Sequence, residues 1–330
     1  MHLVASYPAD GQGTDTAVDA GVDCDTPTPD CAVPTNVEIE LRFDRFLLPG
    51  SGLGAGLLLY TGDPKANAVG LVASYDLIER VVIFRHDAPL SPNTLYTAEI
   101  VPGKNTSQGF WAFDGAPLEA GDVPLRFSFT TGGGPAAPVT PPTPINDDCT
   151  SIASAAAPAG PLSVCSNSNC HQNPPASPPS DPGKYILAYP PMGLSLTAWG
   201  LEHTAINRVA HETATGESAT DPGLQTSPRF GVEMNRVDPG FPEKSYLVYK
   251  LLRKPGNYAL VAGESCPTTF HSPVQDGACA APSDAELSAL REWFVLGDPM
   301  PKDVDDSLFS RDDLQRIVNW IHAGATCQIQ

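Results

Sequence analysis

Gly132-Gly133-Gly134 followed by a proline-rich run from Pro135 to Pro144 limits the fold of this chain more than any other stretch. Such a segment offers no apolar face at strand or helix period and tends to extended polyproline geometry, so it cannot bury a core. With 330 residues there is enough chain for a separate core on each side. The expected division is a first domain over residues 1–132, a linker over 133–145 where the halves can hinge, and a second domain over 146–330. Elsewhere 35 prolines and 29 glycines predict many turns, while a hydrophobic content of 41% excludes a disordered polymer.

The first half reads as all-β. Val37, Ile39, Leu41 and Phe43 alternate with polar neighbours, which predicts one face of a half-buried strand. Val81 to Phe84 is a short apolar run, Tyr96, Ala98 and Ile100 alternate after the turn Ser91-Pro92-Asn93, and Leu125 to Thr131 closes the domain. Short strands between regular turn signals predict a β-sandwich. The second half reads as helix and loop. Helices are expected over Thr204 to Val209 with Ile206 inward, over Ser245 to Leu252, and over Ser283 to Phe294 with Ser283 as cap and Glu286 three residues on. Ser310 caps a further amphipathic helix, with Asp313 at the third position and Leu314, Ile317, Val318 and Ile321 on one face; Gly324 stops it.

Chemistry concentrates in Cys165-Ser166-Asn167-Ser168-Asn169-Cys170-His171. A c-type haem needs two cysteine sulfurs to form thioethers with the porphyrin vinyls and a histidine beside one of them to reach the iron. Cys170 and His171 meet that need by adjacency; the departure is a spacer of four residues where C-x-x-C-H has two. The plain alternative is a small disulfide loop between Cys165 and Cys170 with an incidental histidine. Met300, in the extended Gly297-Asp298-Pro299-Met300-Pro301, suits a distal ligand, and Met192, between Pro191 and Gly193, is its competitor. Met234, His203, His211, His271 and His322 read as packing or surface residues, and Trp199, Trp293 and Trp320 as core aromatics.

The ordered set of C-x4-C-H, Pro191-Met192-Gly193-Leu194-Ser195-Leu196, Arg236 to Leu251, Met300-Pro301 and the helix ending Trp320-Ile321-His322-Ala323-Gly324-Ala325 resembles the c-type cytochrome-like domains of secreted bacterial proteins, especially those of myxobacteria and planctomycetes. The resemblance covers about residues 146 to 327. It implies one covalent haem c bound through Cys165 and Cys170, with His171 as proximal and Met300 as distal iron ligand. In the first half, Ala5-Ser6-Tyr7-Pro8-Ala9-Asp10-Gly11, Leu90 to Thr97 and Phe127 to Gly132 resemble the bacterial Ig-like domains of exported surface proteins. That likeness implies a spacer or adhesion-type module. The expected architecture is therefore an all-β Ig-like sandwich followed by a mainly α, loop-rich cytochrome c-like domain.

Eight cysteines suit an oxidising compartment, so a leader or lipid-anchoring segment is expected to have been removed ahead of Met1, placing the protein in the periplasm, at the outer membrane or outside the cell. If haem takes Cys165 and Cys170, proximity in sequence pairs Cys24 with Cys31 and Cys266 with Cys279, leaving Cys149 with Cys327. A net charge of -19 argues against a nucleic-acid partner, and no apolar run reaches the roughly 20 residues of a membrane helix. Enzyme readings are weak. A partnering cysteine would consume a thiol nucleophile, a zinc site lacks a fourth ligand, and no phosphate-cradling loop or serine elbow is present. The expected function is electron transfer to a redox partner protein by an exported monohaem cytochrome. The alternative is a haem-free, disulfide-stapled surface module for adhesion or self-assembly.

Overall fold

The structure is a computed structural model, and it describes residues 1–13, 33–64, 66–101, 103, 109–135, 147–155, 159–166, 171, 194–210, 234–254, 257, 282–293, 295, 300 and 309–327, the side chains of 291–293 excepted. The chain forms two compact units, Met1–Pro141 with Cys266–Pro282, and Pro142–Ser265 with Ser283–Gln330.

Among the described residues the first unit holds two antiparallel sheets. Strands β1 (Leu3–Tyr7), β2 (Ile39–Phe43), β4 (Leu71–Asp76) and β5 (Val81–His86) make a four-stranded sheet in the order β1-β2-β5-β4; β3 (Leu57–Tyr60), β6 (Leu95–Ile100) and β7 (Arg126–Thr130) make a three-stranded sheet in the order β3-β6-β7. In β6 and β7 the alternation works as expected: Tyr96, Ala98, Ile100, Phe127 and Phe129 are buried between more exposed neighbours. Strand β2 departs from its expected half-burial. It lies between β1 and β5, and Glu40 and Arg42 are buried along with Ile39, Leu41 and Phe43. Arg42 is tolerated there because its guanidinium pairs with the buried carboxylate of Glu79. Strands β3 and β4 carry no clean period-2 signal, and β4 is an edge strand with Val72 exposed.

Phe110 organises the core of this unit. Its ring lies 4.9 Å from that of Phe43 and 6.4 Å, edge-on, from that of Phe84. Gly52 and Gly56, in the approach to β3, leave the space the ring fills; a Cβ on either glycine would collide with it. Phe110 is fully buried, so Phe110→Ala should cost about 3–5 kcal/mol, read as a lowered urea midpoint for this unit. An unchanged midpoint would contradict the packing described. The glycines after β7 are tied back into the unit, since Gly132 N donates to the Val33 carbonyl and Gly134 O accepts from Thr35 N.

Among the described residues the second unit holds short helices: α1 (Cys149–Ala153), α2 (Ala198–Gly200) running into a π turn at Leu201–Ala205, α3 (Tyr246–Leu252), α4 (Asp284–Trp293) and α5 (Arg311–His322). Helix α5 has the expected capping box. Ser310 Oγ accepts from Asp313 N while the Asp313 carboxylate accepts from Ser310 N, and Leu314, Ile317, Val318 and Ile321 are buried. Gly324 follows with a φ of 101°, the left-handed geometry that ends such a helix. Helix α4 starts as expected, with Glu286 N donating to Ser283 Oγ.

The expected helix over Thr204 to Val209 lies earlier in the chain. Thr197 Oγ1 accepts from Gly200 N and starts the turn, which ends at Ala205; Ile206 and Val209 instead bridge to Val237 and Asn235. The ends of the unit are stapled together. Cys149 and Cys327 form a disulfide, as their pairing by sequence predicts; Arg316 clasps Asp147 through two bonds of 2.9 and 3.1 Å, and the Thr326 carbonyl accepts from both Cys149 N and Trp320 Nε1. Cys24, Cys31, Cys266, Cys279, His211, His271 and Phe294 lie outside the described residues.

Candidate haem-ligand site

His171 is held at three points. Its backbone N donates to the Cys165 carbonyl at 3.0 Å, its own carbonyl accepts from Leu196 N at 3.0 Å, and its ring Nδ1 lies 3.1 Å from the Leu194 carbonyl. A carbonyl oxygen has no proton to give, so this last bond assigns the ring proton to Nδ1. Nε2 is then the nitrogen with a lone pair, and nothing among the described residues hydrogen-bonds it. The same division of labour between the two ring nitrogens prepares a histidine to bind a metal.

Electrostatics act in the same direction. Burial pushes the imidazole below its ordinary basicity, the bond to Leu194 opposes that shift, and the charges of Arg236 and Lys250 add to it. The ring is thereby kept neutral, the state in which Nε2 can donate electrons to a metal. With its affinity for protons depressed on folding, the native state binds fewer protons than the unfolded chain as pH falls past the ordinary histidine value of about 6.5. The second unit should therefore lose stability as pH is lowered through the histidine range, and His171→Phe should flatten that dependence. Chemical unfolding at a series of pH values checks this, and an equal slope in the variant would contradict it.

Cys165 is buried at the end of a turn in which its N donates to the Leu162 carbonyl. Cys170, the second expected attachment point, lies outside the described residues, as does the competing ligand Met192. Met300 belongs to the same unit and is half-buried. Its backbone is anchored by a residue that sequence reading missed: the buried Asn257 donates through Nδ2 to the Leu251 carbonyl at 2.7 Å and to the Met300 carbonyl at 3.0 Å, tying Met300 to the end of α3. An asparagine shortly after a helix and a proline-glycine pair is a turn signal in sequence, and the partner 43 residues away leaves no trace there.

The other candidates have structural occupations. Met234 is buried, His203 stacks on Trp199 with centroids 4.2 Å apart, His322 sits exposed at the end of α5, and Trp320 is buried with its Nε1 bonded. Among the described residues no three His, Cys, Asp or Glu side chains converge as a metal centre. No helix among them is long and apolar enough to cross a membrane.

No family model and no curated protein matches the chain. Among solved structures, it is similar to PcoC, a copper resistance protein from Escherichia coli, at 17% identity over 39% of this chain and 97% of that one, with a TM-score of 0.25. A second similarity is to the S-layer protein rSbsC, at 14% identity over 31% of this chain and 12% of that one, with a TM-score of 0.23. At those scores neither likeness bears on fold or function.

Proposed function

We propose that the chain is an exported monohaem c-type cytochrome, in which an Ig-like β-domain precedes a cytochrome c-like electron-transfer domain. The observation that carries this reading is the His171 ring, with Nδ1 committed to a backbone carbonyl and Nε2 presented as a lone pair one residue after Cys170. The donor set fits the group. Cys165 and Cys170 supply the two sulfurs for covalent attachment, His171 a neutral imidazole, and Met300 a thioether on a backbone anchored by Asn257. When bound, the haem supplies a one-electron couple. The protein's own work is to keep His171 unprotonated, fix its ring, tie Met300 to the end of α3 through Asn257 and exclude water with the apolar faces of the second unit. A disulfide between Cys149 and Cys327 supports export, because such bonds persist in oxidising compartments. The chain acts as a carrier between redox partners rather than as an enzyme.

Expression of the full chain with c-haem maturation tests this reading. The reduced protein should show the sharp α-band of six-coordinate c-type haem. Met300→Ala should lower the reduction potential and open the iron to added imidazole while leaving the haem attached, because a thioether ligand raises the potential. A colourless wild-type protein overturns the reading; a coloured Met300→Ala protein with unchanged potential overturns the ligand assignment.

A further inference from the structure

The Leu194 carbonyl that accepts the hydrogen bond from His171 Nδ1 belongs to a short segment, Leu194-Ser195-Leu196, that has its own mooring. Ser195 is fully buried, and its N donates to Oγ1 of the equally buried Thr204 at 2.8 Å. The Thr204 hydroxyl in turn donates to Gly200 O, one turn back, at 2.7 Å or to Ser195 O at 3.2 Å. Gly200 is required at this approach, since a Cβ there would strike the Ser195 side chain. The Thr204 carbonyl in turn accepts from Nη1 of the buried Arg236. Arg236 is fixed by its backbone, with its N donating to Arg208 O at 2.7 Å and its O accepting from Leu247 N at 2.9 Å, at the start of α3. An unbroken run of bonds therefore leads from α3 through Arg236, Thr204 and Ser195 to the two residues that grip His171, Leu194 at the ring and Leu196 at the carbonyl.

We propose that Thr204 and Arg236 are positioning residues for His171: together they fix the Leu194 carbonyl against Nδ1, and so select the ring tautomer and direction in which Nε2 faces a haem iron. The haem part of this inference rests on the function proposed above; the control of the tautomer does not. A buried threonine hydroxyl in a helical turn commonly bonds only to the carbonyl one turn back. Here it also accepts the Ser195 amide, which ties the segment holding His171 to this turn. The cost of leaving that buried amide unmet gives the latch its stiffness.

The test uses the full, haem-free chain labelled with 15N-histidine, read by long-range 1H–15N correlation, with His171 assigned by its disappearance in His171→Asn. The wild type should show a neutral ring protonated at Nδ1. Thr204→Val, which keeps the shape and removes the hydroxyl, should raise the Nε2-protonated population several-fold. Thr204→Ser should restore the wild-type pattern, and Arg236→Gln should shift it in the direction of the valine variant. Folded Thr204→Val and Arg236→Gln proteins with the wild-type pattern would overturn the proposal, as would a serine variant that behaves like valine. If the variants do not fold, hydrogen exchange on the wild type decides: the Ser195 amide must be strongly protected, and exchange at the rate of an open chain overturns the latch. A chain that takes up no haem but keeps this tautomer control contradicts the proposed function alone, whereas a haem protein indifferent to Thr204 and Arg236 contradicts the latch alone.

Discussion

Replacing Cys149 and Cys327 by serine is expected to destabilise the second unit by about 3–5 kcal/mol. The bond closes a loop with a sequence separation of 178, and a loop of that length removes about 5 kcal/mol of chain entropy from the unfolded state. The native arrangement should survive the substitution. Asp147 and Arg316, and the Thr326 carbonyl with Cys149 N and Trp320 Nε1, already bring the two ends together without the sulfurs. Most of the loss is therefore expected to act through the unfolded chain, which gains freedom. The double variant should show a lower urea midpoint for the second unit, with the Trp320 environment native before the transition. A midpoint equal to that of the wild type would show that the disulfide holds nothing that the ion pair and backbone bonds do not.

Serine at both Cys165 and Cys170 is expected to abolish covalent haem attachment completely. A hydroxyl does not add to the porphyrin vinyls, so any pigment retained by His171 and Met300 would come away in acid-acetone. The fold should change little by comparison. Cys165 is a small buried side chain, and a serine in its place loses only part of one residue's apolar burial, about 1 kcal/mol. A double serine variant whose pigment stays on the denatured chain would contradict the assignment of these two thiols.

Sequence reading located the elements whose signals are local. Helix α5 was legible because its cap, third-position acid, apolar face and stop glycine all fall within 15 residues of one another, and the structure repeats each of them. Strands β6 and β7 were legible because each buries only alternate residues. Strand β2 was misread as half-buried because the cover over Glu40 and Arg42 comes from elsewhere in the unit, including the Glu79 carboxylate 37 residues away. The turn before Ile206 was misplaced because its starting signal, the Thr197 hydroxyl, precedes a Trp-Gly pair that breaks the apolar period. At the candidate site the chemical groups were legible and their supports were not. His171 stands out beside Cys170, but Leu194, Thr204, Arg236 and Asn257 carry no local sign of their roles. Each acts through a bond to a residue far along the chain, which only the fold supplies.

The mass of the denatured, unreduced full chain, exported from a host with c-haem maturation, tests the covalent haem most directly. A polypeptide heavier by one haem, with the colour remaining on the chain through acid-acetone extraction, is the result expected from Cys165, Cys170 and His171. A colourless chain at the mass of the polypeptide alone, with all eight cysteines paired as disulfides, would contradict it and leave a stapled surface module in its place.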